Sequence, residues 1–299
     1  MTVILGQTFA LITALCWAQN SIVYSMAGRR VSSQTVTHIR LWIALPAVLI
    51  VHLIITGVLI PSGIPVSSFI YLAASGLIGF FLADIFIFHG FVALGPRETM
   101  VIMTLSPILA ALLSWLFQGE TLALQQIAGV LLTIGGVMWV IYAERQPKKD
   151  GNKDYQKGIT VALLGAAAQA GAMVLSKQGL TEGVHPVSAN IIRVTFGLAG
   201  LAVFMISRKR FVSDFRKMGD RKAFLLIGAG ALVGPVLGII LALYALTMAP
   251  VGIVTTLMQT SPVMLLPVDK FLFKRKIPWS VWIGTVIAVA GTALLFIKV

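Results

Sequence analysis

Apolar residues run in blocks of about twenty along this chain, broken by short polar stretches. Ten blocks can be placed, at residues 3–27, 34–56, 67–94, 98–118, 122–142, 158–176, 187–206, 222–246, 251–271 and 277–297. A hydrocarbon core of about 30 Å is crossed by a helix of about 20 residues. The pattern therefore predicts an all-α integral membrane protein with ten transmembrane helices. No Asp, Glu, Lys or Arg falls between Arg40 and Asp84 or between Lys222 and Asp269, and each gap has room for two spans. The longest polar stretch, 144–157, separates two sets of five blocks. It marks a first unit over 1–143, a basic linker over 144–157 and a second unit over 158–299. With an odd number of helices per unit, the second enters the membrane from the opposite side, so the expected arrangement is two inverted five-helix repeats around a central cavity.

The repeat is visible in the residues. Ser106-Pro107 recurs as Ser261-Pro262 at an offset of 155, and at the same offset Gly79, Leu82, Ile85 and Met103 meet Gly234, Leu237, Ile240 and Met258. Gly129 and Gly136 match Gly284 and Gly291. The first two helices correspond at slightly smaller offsets, pairing Gln19 with Gln169 and Arg40 with Arg193.

Composition agrees with the blocks. Hydrophobic residues make up 58% and charged residues 11%, against about 25% charged in a soluble domain; mean hydropathy is +0.95. The net charge of +13 would suggest nucleic acid in a soluble protein. Here the basic residues sit in loops without interleaved aromatics, so no nucleic-acid partner is expected. The odd-numbered loops hold every Lys and Arg outside the spans except Lys177 and Lys298. The positive-inside rule then puts those loops in the cytoplasm and both termini outside. No basic n-region precedes the first apolar block, so no signal peptide is expected. The single Cys16 makes no intrachain disulfide.

The stretch 93–142, ALGPRETMVIMTLSPILAALLSWLFQGETLALQQIAGVLLTIGGVMWVIY, resembles the EamA family of the drug/metabolite transporter superfamily. The features concerned are a helix with a central proline, a Gly-Glu after the fourth span and a glycine-punctuated fifth span. The second half carries a looser copy in which Arg275 stands in place of Glu120. The resemblance implies a secondary transporter, with members of the family exporting amino acids, drugs and other metabolites, many proton-coupled or facilitative.

Asp84 stands out among the candidate residues. It lies 11 positions before Gly95, about 16 Å along a helix and so near the middle of the core. A carboxylate there costs about 2.5–3.5 kcal/mol on insertion scales and suits a site that takes up and releases a proton. The alternatives are a packing role or partnership with an internal arginine. Arg40 is expected to snorkel to the interface, whereas Arg193, nearer the cation-poor side, is a candidate for binding a substrate carboxylate. Gln19, Asn20, Gln169 and Asn190 are either interhelical glue or polar contacts for a solute. Trp17, Met103, Tyr244, Met258 and Gln259 are candidates for cavity walls. Pro107 and Pro262 withdraw the hydrogen bonds to the carbonyls of Met103 and Met258, which then need water, solute or a side chain. Glu120 reads as a helix N-terminal charge.

A secondary transporter for a small-molecule substrate, with protons as a candidate co-substrate, fits these features best, and no cofactor is implied. An intramembrane serine protease would need a nucleophile motif that Ala73-Ala74-Ser75-Gly76 only partly resembles. A non-transporting receptor or scaffold remains the third class. No Gly-rich Lys-Ser/Thr phosphate loop is present for a primary pump, and no metal-ligand spacing surrounds His38 or His89. One chain suffices for one pathway, as a monomer or within a homodimer.

Overall fold

The computed structural model describes residues 2–94, 99, 102–143, 153–261, 263–264 and 278–296, and every regular element among them is helical. Pro262 and Arg275 lie outside these residues. Two long helices open the chain, α1 (Thr2–Val31) and α2 (Ser33–Thr56). A third rod is continuous through three parts: α3 (Val66–Gly76), a π-helical turn (Leu77–Ala83) and α4 (Asp84–Ala93). Then come α5 (Ser106–Gln118) and α6 (Leu124–Ala143). The second half repeats the order with α7 (Lys153–Leu180) and α8 (Pro186–Ser207), then a short α9 (Phe211–Arg216). Its own three-part rod is α10 (Arg221–Ala231), a π turn (Leu232–Gly238) and α11 (Ile239–Met248). It closes with α12 (Val251–Met258) and α13 (Trp279–Phe296).

Seven of these stretches are long and apolar enough to cross a membrane, and Ser106–Gln118 and Trp279–Leu295 are shorter apolar helices. The helices end where local chemistry ends them. Gly57 takes the left-handed conformation after α2, and Asp220 caps α10 by accepting from the N–H groups of Lys222 and Ala223 at 3.1 and 3.0 Å.

The two halves are interlocked. α1 packs along the rod α10–α11 of the second half, and α7 packs along the rod α3–α4 of the first. The rods start at opposite ends of the bundle. Ser67 Oγ, at the start of the first, donates to Glu182 beyond the end of α7. Asp220, at the start of the second, accepts from Arg30 at the end of α1, at 2.8 Å. The basic residues 208–210, 216–217 and 221–222 gather at the Arg30 end. There α9 buries Asp214, which accepts from Thr35 Oγ1 at 2.8 Å and faces His38 Nδ1 at 3.3 Å.

Glycine explains the closest approach. A side-chain carbon at Gly136 would strike the backbone nitrogen of Ala288, and one at Gly291 would strike that of Thr133. The matched glycines of the repeat therefore face each other, and α6 meets α13 backbone against backbone. The small-residue stripe of the second rod works likewise: Gly230 lies under the Tyr24 ring, Gly234 under Asn20 and Gly238 beside Cys16.

Candidate functional site: a central cavity lined from both halves

A cavity of about 270 Å³ lies between the halves. α1 contributes Trp17, Asn20 and Tyr24, spaced three and four residues apart and hence on one face. Gln19 is one position, about 100°, off that face and is exposed on the outside of the bundle, not at the cavity as expected. Its repeat counterpart Gln169 does line the cavity.

The third rod and its repeat contribute through the π turns. In an α-helix, positions five apart diverge by about 140°. A π turn bonds i to i+5 and brings them onto one face. Gly79 and Asp84 both line the cavity, and so do Gly234 and Ile239, five apart in the other half. The two π turns sit at the repeat offset of 155 residue for residue. The carbonyl of Pro235, inside the second, accepts from Asn190 Nδ2 at 2.8 Å.

Asp84 accepts a hydrogen bond from Arg40 Nη2. The two side chains are only 15% and 14% exposed, and the Arg40 guanidinium lies 5.6 Å from the Tyr24 ring centre. Arg40 therefore does not snorkel. A carboxylate one rod away offers a nearer partner than the interface, and pairing removes two isolated charges at once. Asp84 also forms part of a second cavity, of about 570 Å³ at the Arg30 end, with Gln34, Thr37, His89, Arg208 and Arg210. The ion pair thus stands between the two spaces.

Arg193 is 1% exposed and lines the central cavity. Gly76 makes room for its backbone, and its guanidinium lies 5.3 Å from the Phe80 ring centre. Its Nε and Nη1 have no hydrogen-bond partner among the described residues.

The fourth helix of each half is interrupted. α-Helical bonding gives way at Thr104-Leu105 and at Gln259-Thr260, where Leu105 N bonds Ile102 O at 3.0 Å and Thr260 N bonds Leu257 O at 3.2 Å. The Met103 carbonyl, released by Pro107, accepts from Gln259 Nε2 at 2.7 Å, a side chain of the opposite half. The Met258 carbonyl accepts from Ser261 Oγ at 2.9 Å, while Pro262 itself is outside the described residues. Met103 and Gln259 line the cavity. Met258 is buried and Tyr244 instead meets His185 Nε2 at 3.0 Å, so neither is part of its described lining. Tyr244 lies five positions, about 140°, around α11 from the lining residue Ile239.

Sequence reasoning passed over Tyr24, Phe80 and Pro235, all on the lining. Tyr24 was reachable, since it continues the stripe from Trp17 and Asn20. Glu120 has more to do than face a helix end. It accepts from Lys177, from Ser114 Oγ and from the Val251 N–H at 2.9 Å, while Lys177 also donates to the Ala249 carbonyl at 2.9 Å. This ties α5, α7 and α12 at the end away from Arg30. Burial pushes the Glu120 carboxyl up, but its hydrogen bonds from Lys177, Ser114 and Val251 outweigh that and hold it below its ordinary 4.5. Ser75 is buried and donates to the Ala172 carbonyl at 2.6 Å, with Ser176 its other neighbour.

The model of the EamA-like transporter family matches twice, over residues 4–142 and 156–297. The chain belongs to the EamA-like transporter family. It is accordingly a multi-pass membrane protein of the drug/metabolite transporter type. No curated protein matches the sequence. A solved structure titled only as a crystal structure of a protein is 20% identical, with a TM-score of 0.73, covering 97% of this chain and 96% of its own. At that identity the likeness is one of fold. In this EamA-like chain the two family matches meet at the central cavity, and each supplies one arginine to it.

Proposed function

We propose that this EamA-like protein is a secondary transporter that moves a small metabolite by alternating access, most simply as an exporter of amino acids or related metabolites. The observation that carries this reading is a central cavity of metabolite size whose polar groups come from both halves. The broken helices place the Met103 carbonyl and Gln259 at its wall. In this proposal ten helices cross a bacterial inner membrane as two inverted sets of five, with the basic end cytoplasmic and both termini outside. One chain provides one pathway.

Asp84 is the proposed coupling group. Protonation would cancel its charge and release Arg40, so the proton changes which groups face the solute. A specific observation favours a second reading, a facilitator: Asp84 already has a partner, and a paired carboxylate also serves packing.

The test is flux of radiolabelled amino acids in proteoliposomes, with and without a pH gradient, for wild type and Asp84→Asn. Saturable flux that responds to the gradient in wild type alone is the expected result. Flux indifferent to both leaves a facilitator. Absence of flux for every amino acid rejects this substrate class.

A further inference from the structure

The central cavity carries an unbalanced charge. Its described lining includes two guanidinium groups, Arg40 and Arg193, and one carboxylate, Asp84. Asp84 is engaged with Arg40, which leaves Arg193 without a counter-ion among the described residues.

Arg193 has no route to water by snorkelling. It is 1% exposed, and its own backbone is held against Gly76 where the first rod crosses α8. The Phe80 ring at 5.3 Å offers a cation–π contact. That contact is smaller than the cost of desolvating the ion. The deficit is the kind an anion removes, and the donors Nε and Nη1 lack acceptors among the described residues.

We propose that the solute is a small organic anion whose carboxylate docks on Arg193. This rests on the transporter reading and narrows it, from amino acids and related metabolites in general to their anionic members. A guanidinium presents a planar set of donors matched to a carboxylate. Net negative charge on the solute offsets the net positive charge of the described lining. A zwitterion would bring an ammonium that finds the only described lining carboxylate already paired. A cation would meet two arginines.

The experiment follows thermal unfolding of the purified full chain in the presence of succinate, aspartate, asparagine, 1,4-diaminobutane or inorganic phosphate. Succinate and aspartate should raise the midpoint, asparagine less and the diamine not at all. Arg193→Gln should weaken carboxylate binding at least about tenfold. Arg193→Lys, which keeps the charge and loses the fork, should retain the preference for anions at lower affinity. If Arg193→Gln does not yield folded protein, Arg193→Lys carries the comparison, and an affinity equal to wild type overturns the site. Responses to asparagine or the diamine as large as those to succinate overturn it too, as does a wild type indifferent to both carboxylates, a response to phosphate alone, or a succinate response unchanged by Arg193→Gln. Flux of the same compounds in proteoliposomes separates the two claims. Carboxylate binding without flux rejects transport and leaves the anion site. Saturable flux of the neutral or cationic compounds, untouched by Arg193→Gln, rejects the anion site and leaves transport.

Discussion

Residues 77–83 and 232–238 form the same π turn, and residues 104–105 and 259–260 the same helix break, yet the two halves mount different side chains on these frames. The first half places Asp84 after its π turn, where the second has Ile239. The first half's Arg40 is paired, while the Nε and Nη1 of the second half's Arg193 have no partner among the described residues. The first half's Met103 carbonyl depends on Gln259 from across the cavity, while the second half's Met258 carbonyl is satisfied by its own Ser261. Duplication therefore preserved the mechanical parts, which need only small residues and backbone, and let the charged parts diverge. A symmetric scaffold surrounds an asymmetric site.

The scaffold is the place where the comparison breaks hardest. Gly136→Leu puts side-chain carbons into the Ala288 backbone and should abolish recovery of monodisperse protein, as should Gly291→Leu at the matching contact with Thr133. Gly135→Ala is the control: nothing lies within 4 Å of the added carbon, so yield and melting temperature should hold or rise slightly. Equal damage at 135 and 136 would show that glycine serves helix flexibility here rather than close contact.

Charge asymmetry comes next in size. Asp84→Asn leaves Arg40 as a second unpaired buried cation, and breaking such a pair costs about 3–5 kcal/mol. Arg40→Gln in the same chain should recover most of that loss, a coupling that a double-mutant cycle on thermal stability measures. Additive losses would mean that the two groups act independently.

Gln259→Leu tests the cross-cavity bond to the Met103 carbonyl. Its expected cost is about 1–3 kcal/mol, that of a buried carbonyl left without a donor. Ser261→Ala should cost less, because the lost bond is local to one turn. A larger loss for Ser261→Ala would reverse the comparison.

The smallest effect is at the far end, where Glu120 ties the halves through Lys177 and Val251. Its folded pKa is depressed, so its stabilisation is complete above the ordinary value of 4.5 and is lost as pH falls through the lower folded value. The difference in melting temperature between wild type and Glu120→Gln should be constant near neutrality and close as pH falls below 4.5. A difference that widens toward acid pH would contradict the ion pair.

Much of the frame was legible in the chain itself. The blocks and the glycine and Ser-Pro matches pointed to duplicated helical units because hydropathy and backbone space are written locally, residue by residue. The demand of the Met103 carbonyl for a partner was legible too, since Pro107 creates it. What supplies the partner, Gln259, was not, because it comes from 156 positions away. The pairing of Arg40 with Asp84 was hidden for the same reason, and snorkelling was the better reading of Arg40 taken alone. Gln19 misled because a match in the repeat says nothing of the face a side chain occupies. The π turns left no mark at all, for Leu77–Ala83 has the composition of any apolar helix.

That silent turn sets an angular clock for the rod. Removing one residue within 77–83 would restore regular winding and rotate everything beyond by about 100°, carrying the carboxylate at position 84 off the cavity wall without altering its chemistry. The address of the one acidic group described at this cavity is thus written in the length of the segment before it, and a deletion there is a different lesion from any substitution of Asp84.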